Sequence, residues 1–288
     1  YVSVAKTQGV KVAKVKKLVI PAFNVTYKLK VQGTAVTVKK EADKEITTST
    51  DMKVNVENAD VSMMQNLTNK AYNVFVDELK KANFEVIALE DVAKSESYYQ
   101  VNHKNPVTSV SVEDESATLV PDGLKSYDPN DKMDPDGSFL MGVANINSAV
   151  NGDLVAEFGG VEKGVAAVNV NMTVQFGNFD LEDHRVSEFI SFNPSFTVMG
   201  NGTNMEMTTD LRSVSMPGRV FYMPEETAAY SLNQDMGSKT NVIAGMLNVS
   251  SREGAEEYNA TINEDSFTRA GVEQIKRVSQ LWVQAMRE

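Results

Sequence analysis

The chain has 288 residues, of which 42% are apolar and 23% are charged, and its formal net charge is −11. This apolar fraction excludes wholesale disorder, and the length allows one large domain or two small ones. The chain contains no Cys, which excludes disulfides, thiolate zinc sites, iron–sulfur clusters and thiol catalysis. The acidic balance argues against a nucleic-acid partner, and no apolar run is long enough for a transmembrane helix.

Charge is unevenly distributed along the chain. Residues 1–53 contain eleven Lys, no Arg and four acidic residues, so this stretch carries +7 and the remainder −18. The sequence therefore predicts a basic N-terminal strand and β-ribbon arm, residues 1–58, ahead of an acidic body, residues 59–288, which forms one continuous domain with the strand at 17–23. One explanation of the basic arm is a solvated Lys-rich surface that binds nothing. The alternatives are contact with an acidic partner subunit, with anionic lipid or with polysaccharide.

The first strand is predicted at residues 17–23, where a short apolar run is typical of a buried strand. Beyond it, apolar and polar residues alternate on both sides of Gln32-Gly33, which predicts a long Lys- and Thr-rich β-ribbon over residues 24–57 with a polar tip near 41–50. A two-stranded ribbon is not stable alone, so we expect it to need a sheet or a partner to pack on.

The clearest helix is predicted over residues 62–82. Ser62 and Gln65 have the spacing of a capping box, with Ser62 as the N-cap. Apolar residues then recur at steps of three and four: Met64, Leu67, Ala71, Val74, Phe75 and Leu79. A strand at 84–89 and a short helix from Asp91 follow. A crossover through helix 62–82 makes the strands at 17–23 and 84–89 parallel neighbours at the centre of a sheet.

Residues 101–138 lose this periodicity, and Pro and acidic residues indicate a long loop. One segment of the loop is rich in side-chain oxygens: Asp128, Asn130, Asp131, Asp134 and Asp136. Hard cations such as Ca²⁺ need clustered oxygen ligands, and Gly137 provides a sharp turn, so these five residues form a candidate calcium site. Their spacing does not match an EF-hand, and a plain acidic turn is the alternative reading.

The second half of the chain is predicted to be rich in β-structure. Its strongest strand is 168–176, where apolar residues alternate with Asn169, Asn171, Thr173 and Gln175 to give one apolar and one polar face. Asn201-Gly202 and Pro217-Gly218 predict turns between paired strands. The last element is a helix from about Ser266, whose apolar stripe includes Trp282 as a core anchor and must dock on the body. The predicted fold class is α/β, mixed α+β, with a central sheet, crossover helix 62–82, β-ribbon 24–57, a β-rich second half and a docked C-terminal helix.

No phosphate-binding loop, dinucleotide fingerprint, nucleophile elbow or zinc-protease motif is present. His103 and His184 are the only imidazoles. Asp183-His184-Arg185 does not make a triad, because neighbouring residues on a strand point to opposite faces. The sequence therefore predicts a protein that is not an enzyme and has no cofactor, with calcium as the one candidate ion. A hydrolase that uses His103 or His184 is the remaining catalytic hypothesis.

The order of these elements carries a family resemblance. Lys16-Lys-Leu-Val-Ile-Pro-Ala-Phe23, the helix from Ser62 and Phe84-Glu-Val-Ile87 resemble the opening of the bacterial curli-secretion-pore family and the related amino-terminal domain of the TolB translocation protein. In those proteins a strand of this kind is followed by a long helix and a second strand. The resemblance implies a non-enzymatic bacterial envelope protein that is often a component of a ring or assembly.

The leading functional prediction is an exported bacterial cell-envelope protein with a structural or assembly role. It would form a homo-oligomeric ring or filament through its β-ribbon, in the periplasm, at the outer membrane or at the cell surface, with other envelope proteins as further candidate partners. The absence of Cys favours export, and a chain that begins at Tyr1 fits a mature exported protein as well as a trimmed cytosolic one. The alternative is a secreted calcium- or carbohydrate-binding module, based on the acidic loop and the β-rich second half.

Overall fold

The structure is a computed structural model that describes residues 4–6, 14–41, 44–56, 59–99, 107, 109–111, 114–126, 146–184, 187–216, 219–237, 247–250 and 257–287. The strands within these residues are β1 (Val4–Lys6), β2 (Lys17–Lys28), β3 (Lys30–Glu41), β4 (Lys44–Val56), β5 (Glu85–Val86), β6 (Ser116–Leu119), β7 (Val165–His184), β8 (Ser187–Val198), β9 (Asn204–Met216), β10 (Arg219–Leu232), β11 (Met236–Gly237), β12 (Leu247–Ser250) and β13 (Glu257–Ile262). The helices are α1 (Val61–Lys81), α2 (Leu89–Lys94), α3 (Glu96–Tyr99), α4 (Ile146–Glu157) and α5 (Glu264–Arg287).

The larger sheet is mixed, and β2 lies inside it. The strand order is β1-β10-β9-β7-β2-β5, with β6 also paired to β2 and β8 paired to both β7 and β11. β2 runs parallel to β7, from Lys17 opposite Val165 to Lys28 opposite Gln175. The predicted mixed α/β class is therefore confirmed. The predicted strand 17–23 is the first part of β2, which continues to Lys28.

The predicted strand at 84–89 is much shorter, and it lies at the edge of the sheet. β5 pairs in parallel with β2 only at Glu85 and Val86. Ile87 N still donates to Leu18 O, at 2.9 Å, but α2 begins at Leu89. The prediction was wrong here because a short apolar run is compatible with either a strand or the first turn of a helix.

Helix α1 is the predicted crossover helix, but its N-cap is Asp60 and not Ser62. The Asp60 carboxylate accepts hydrogen bonds from Ser62 N, at 3.1 Å, and from the Ser62 hydroxyl. These bonds lower the pKa of the Asp60 carboxyl below its usual value. A carboxylate is as good a cap as a serine hydroxyl and also complements the positive end of the helix dipole, so the helix starts earlier than the capping-box pattern indicates.

Helices α1 and α5 cover the apolar face of the main sheet. Phe23 of β2 contacts Tyr72 and Phe75 of α1, with ring centroids 5.5 and 5.8 Å apart. The ring centroid of Phe267 in α5 lies 5.3 Å from that of Phe176 in β7 and 5.3 Å from that of Phe196 in β8. This packing confirms the docked C-terminal helix, which begins at Glu264.

The two long helices also pack directly on each other. Gly271 of α5 lies against Leu67 of α1, and the Phe75 and Trp282 rings meet edge to face at 6.1 Å. From the first contact to the second, the residue number rises on both helices, so α1 and α5 run in the same direction. Trp282 is fully buried, as expected of a core anchor.

The other face of the main sheet contacts α4, a helix that the sequence did not predict. α4 lies against β7, β9 and β10, and its Leu154 and Val155 are fully buried. Glu157, its last residue, accepts hydrogen bonds from the hydroxyls of Ser95 (3.0 Å) and Ser97 (2.8 Å). These bonds tie the end of α4 to the segment of α2 and α3.

The smaller sheet contains the predicted ribbon. Its strand order is β12-β13-β4-β3, with β4 parallel to β13. The ribbon itself is the antiparallel pair β3 and β4, and the first residues of the predicted range 24–57 belong to β2 instead. Val56 N donates to Leu29 O, at 3.1 Å, which fixes the base of the ribbon at the end of β2.

Asn201-Gly202 does not join a hairpin. β8 and β9 both pair antiparallel with β7, β8 from Val174 to His184 and β9 from Ala167 to Asn171. They therefore follow one another along β7, with a turn between them in which Gly202 has a positive φ of 84°. A turn-forming dipeptide between two apolar runs indicates a turn. It does not indicate whether the flanking strands pair with each other or with a common third strand. Strands β9 and β10, which flank the predicted Pro217-Gly218 turn, do pair antiparallel.

Candidate assembly surface and polar sheet face

The ribbon extends well beyond the small sheet. β3 and β4 are paired from Lys30 opposite Asn55 to Glu41 opposite Lys44. β13 pairs with β4 only over residues 53–56, so in the described part of the chain no third strand joins the ribbon beyond its base. At about 3.3 Å per residue, the part from Gly33 to Glu41, which pairs only with β4 among the described residues, is about 30 Å long. A two-stranded ribbon of this kind is marginal in water unless another surface or strand packs on it.

Strands β3 and β12 are the two outer strands of the small sheet, and each has one edge without a ladder among the described residues. The two strands run in the same direction, because β3 is antiparallel to β4, β4 is parallel to β13 and β13 is antiparallel to β12. A second copy related by a head-to-tail operation can therefore bring its β12 against β3 as a parallel strand. Lys39 and Lys40 lie on β3, and lysines on an edge strand are also a common means of preventing such pairing.

Two further ribbons leave the main sheet from opposite ends. Beyond Gln175, β7 pairs only with β8 within the described residues, up to His184 opposite Ser187. Beyond Thr208, β9 pairs only with β10 in the same part of the chain, up to Met216 opposite Arg219. Because β9 is antiparallel to β7, its ribbon leaves from the end at which β2 begins, and the β7–β8 ribbon leaves from the end at which β2 finishes.

The lysines of the basic arm whose side chains the structure describes lie in different parts of the fold. Lys6 Nζ donates to Ala285 O near the end of α5, at 3.3 Å, and lies 5.8 Å from the centroid of the Tyr230 ring. Lys17 forms an ion pair with Glu85, at 2.6 Å, where β2 begins. Lys30 and Lys53, in contrast, lie at the base of the ribbon on β3 and β4. Part of the basic charge therefore holds the N-terminal region onto the body, and another part belongs to the ribbon.

The polar face of the main sheet has a row of amides across three neighbouring strands. Asn24 Nδ2 donates to Asn171 Oδ1, at 2.9 Å, and Asn171 Nδ2 donates to Asn204 Oδ1, at 3.2 Å. Beside this row, the hydroxyls of Thr26 and Thr118 are 2.8 Å apart on β2 and β6. These groups form a neutral surface of hydrogen-bond donors and acceptors.

Next to the amide row lies a second pair of polar side chains, one of which has an oxygen without a hydrogen-bond partner. Asn169 of β7 and Glu206 of β9 are directly opposite each other. Asn169 is only 2% exposed, and its Oδ1 has no hydrogen-bond partner. Burial raises the pKa of the Glu206 carboxyl above its usual value. Asn151 of α4 is 3% exposed, and its Oδ1 also lacks a partner.

The calcium site predicted from the sequence falls outside the described residues, with Asp128, Asn130, Asp131, Asp134 and Asp136 all in the segment 127–145. His103 also lies outside them, and His184 is the last residue of β7. Within the described ranges, no three His, Cys, Asp or Glu side chains cluster in a way that could hold a metal ion. The alternation in the sequence placed Asn169 on a polar face. Asn151 was missed because it is an ordinary polar residue in a segment with no predicted element, and Glu206 was missed because it is an ordinary polar residue in a strand.

Comparisons with protein-family models, with curated proteins and with solved structures find no match to this chain. The resemblance to the curli-secretion-pore family and to the TolB domain therefore stays a prediction. None of the helices in the described ranges combines the length and the apolar character needed to span a membrane.

Proposed function

We propose that the protein is a non-enzymatic, exported structural or assembly component of the bacterial cell envelope, and that copies of the chain join into a ring or filament through the β3–β4 ribbon. The observation that carries the proposal is the ribbon itself. Its outer part has no third strand in the described structure, and the small sheet to which it belongs has open edges on β3 and β12. A neighbouring copy would supply a further strand or surface for the ribbon to pack on. The placement in the envelope rests on the resemblance and on the absence of Cys.

The competing explanation is that the lysines of β3 protect a monomer against edge pairing. The two explanations differ in their response to salt. Contact between a Lys-rich ribbon and the acidic surface of a neighbour weakens when salt shortens the Debye length from about 10 Å at 0.1 M to about 3 Å at 1 M. A protected monomer stays monomeric at every salt concentration.

The decisive variant shortens the ribbon and leaves its base intact. Gly33 and Met52 are directly opposite each other, so replacing residues 34–51 by Asn-Gly closes a tight hairpin at that point. The matched control shortens the β9–β10 ribbon in the same way, by replacing residues 213–222 by Asn-Gly between the opposed residues Arg212 and Met223. Sedimentation velocity of the unmutated protein, at low salt and high concentration, is expected to show an assembly.

We expect the 34–51 replacement to convert this assembly into a monomer that still melts cooperatively, and the control replacement to leave the assembly in place. A monomeric unmutated protein under these conditions would overturn the proposal. Equal loss of assembly in both variants would contradict the specific role of the β3–β4 ribbon.

A calcium- or carbohydrate-binding module is the second candidate function. The observation that favours it is the neutral row formed by Asn24, Asn171 and Asn204, because amides and hydroxyls are the groups that bind neutral polyols. Retardation in gels that contain a soluble polysaccharide, lost on replacing Asn171 by Ala, would support this function. Unchanged mobility across a panel of neutral polysaccharides would contradict it.

A further inference from the structure

Four residues lie in register across the four strands of the main sheet that contact α4. Asn169 on β7 and Glu206 on β9 are direct neighbours, with Ala22 of β2 beside Asn169 and Ala229 of β10 beside Glu206. Residues that face each other on adjacent strands share one face of the sheet, with Cβ atoms about 5 Å apart. The two alanines are small, so no bulky side chain of β2 or β10 stands directly beside the polar pair.

Helix α4 carries a third polar group on its buried side. It packs against β7, β9 and β10, and Asn151 lies on its buried side together with Leu154 and Val155. Asn151 and Asn169 are 3% and 2% exposed, yet neither Oδ1 accepts a hydrogen bond. A buried amide oxygen without a donor is costly, so two of them in one layer between a helix and a sheet call for a bound group.

The Glu206 carboxylate determines the charge of that group. No cation pairs with it among the described residues, and burial is the cause of its raised pKa. A buried water would satisfy the amide oxygens, whereas a cation would also neutralise the partly buried carboxylate. A hard cation satisfies all three groups, because carboxylate and amide oxygens are its usual ligands in proteins.

We infer that Glu206, Asn169 and Asn151 form a binding site for a divalent cation of the size of Ca²⁺, between the polar face of the main sheet and α4. This site is separate from the acidic segment at 128–136, and it does not depend on the proposed assembly function. Binding there would fasten α4 to the sheet.

The test is a thermal melt of chelator-treated protein titrated with CaCl₂ alone. Calcium is expected to raise the melting temperature by about 5 °C or more once its concentration is about 100 times the dissociation constant. Glu206→Gln is expected to weaken calcium binding by about tenfold or more, as measured by isothermal titration calorimetry. The matched control is the double variant Asp134→Ala with Asp136→Ala, which is expected to keep the full effect of calcium.

Two further readouts distinguish a ligand from a merely structural residue. Without calcium, Glu206→Gln should melt at or above the temperature of the unmutated protein, because the uncompensated charge is gone; with calcium the order should reverse. Asn169→Asp should bind calcium more tightly and melt lower without it, because it adds a second carboxylate. No calcium-dependent shift and no binding heat in the unmutated protein at millimolar calcium would overturn the inference. It would also be overturned if calcium binding survived in Glu206→Gln and vanished in the loop double variant.

Discussion

Replacing Gly271 by Ala tests the contact between the two long helices. In an exposed helix interior this change stabilises the folded state by about 1 kcal/mol, because alanine restricts the unfolded chain. In α5 the added Cβ would lie 2.7 Å from Leu67 Cδ2, 2.9 Å from Leu67 Cδ1 and 3.1 Å from Phe196 Cε2. Leu67 and Phe196 are both fully buried, so neither side chain has free space into which it can move.

The expected sign follows from comparing the two effects. Overpacking of a closed core costs about 1–3 kcal/mol, and contacts on two sides of the new methyl group place this site in the upper part of that range. Against a gain of about 1 kcal/mol from helix propensity, we expect Gly271→Ala to lower the free energy of unfolding by about 1–2 kcal/mol. Each kcal/mol corresponds to a fall of about 2–4 °C in melting temperature for a protein of this size.

A double-mutant cycle in urea identifies the cause. Leu67→Ala alone should cost about 2–5 kcal/mol, since it leaves a cavity. Gly271→Ala in the Leu67→Ala background should no longer be destabilising, so the double variant should be more stable than additivity predicts by about 1–2 kcal/mol. Asn73→Ala, on the exposed side of α1, serves as the control for helix propensity alone. A Gly271→Ala protein more stable than the unmutated one, or additive energies in the cycle, would refute the packing argument.

Two more predictions concern α1. Asp60→Ala should lower the melting temperature at neutral pH, because it removes the helix cap. Folding lowers the pKa of Asp60 below 3.8, so the ionised cap stabilises the protein at pH values above 3.8. The difference in melting temperature between the variant and the unmutated protein should therefore disappear as the pH falls through the folded-state pKa. A difference that persists at pH 2 would contradict this role. Phe75→Ala should cost about 3–5 kcal/mol in chemical denaturation, because the ring is fully buried between Phe23 and Trp282, and a cost below about 1 kcal/mol would show that the site collapses around the deletion.

The elements that the sequence predicted well are those with one apolar and one polar face. β7 was recognisable because residues 168–176 alternate strictly, and α1 and α5 because their apolar residues recur at helical spacing. The pairing of β2 with β7 was not visible in either strand, because nothing in a local pattern indicates which distant strand will be its neighbour. α4 was missed because Gly152 and several polar residues interrupt its apolar spacing, and its burial depends on the sheet beneath it.

The polar residues near α4 also show that a local sequence pattern does not reveal the three-dimensional surroundings of a single residue. Asn169 could be assigned to a polar face from its position in the alternation. Its surroundings depend on Glu206, which follows 37 positions later in the chain and lies opposite it, and on α4, which packs against the same two strands. An ordinary Asn on a half-polar strand carries no sequence signal of that environment.

The pairing of β2 with β7 also has a consequence for how the chain folds. The central strand pair joins residue 17 to residue 165, and β1 pairs with β10 at residues 4 and 232. The pairs β7–β8 and β9–β10 are local, but the main sheet closes through contacts between very distant segments. Its apolar face is then covered by α5, which follows all the strands of the main sheet in the chain. Such topologies fold slowly, because loop closure costs entropy before the contacts reward it. During synthesis the strands would have unpaired edges for most of the elongation time, and a chain in that state is well suited to capture by holding chaperones before any compact structure forms.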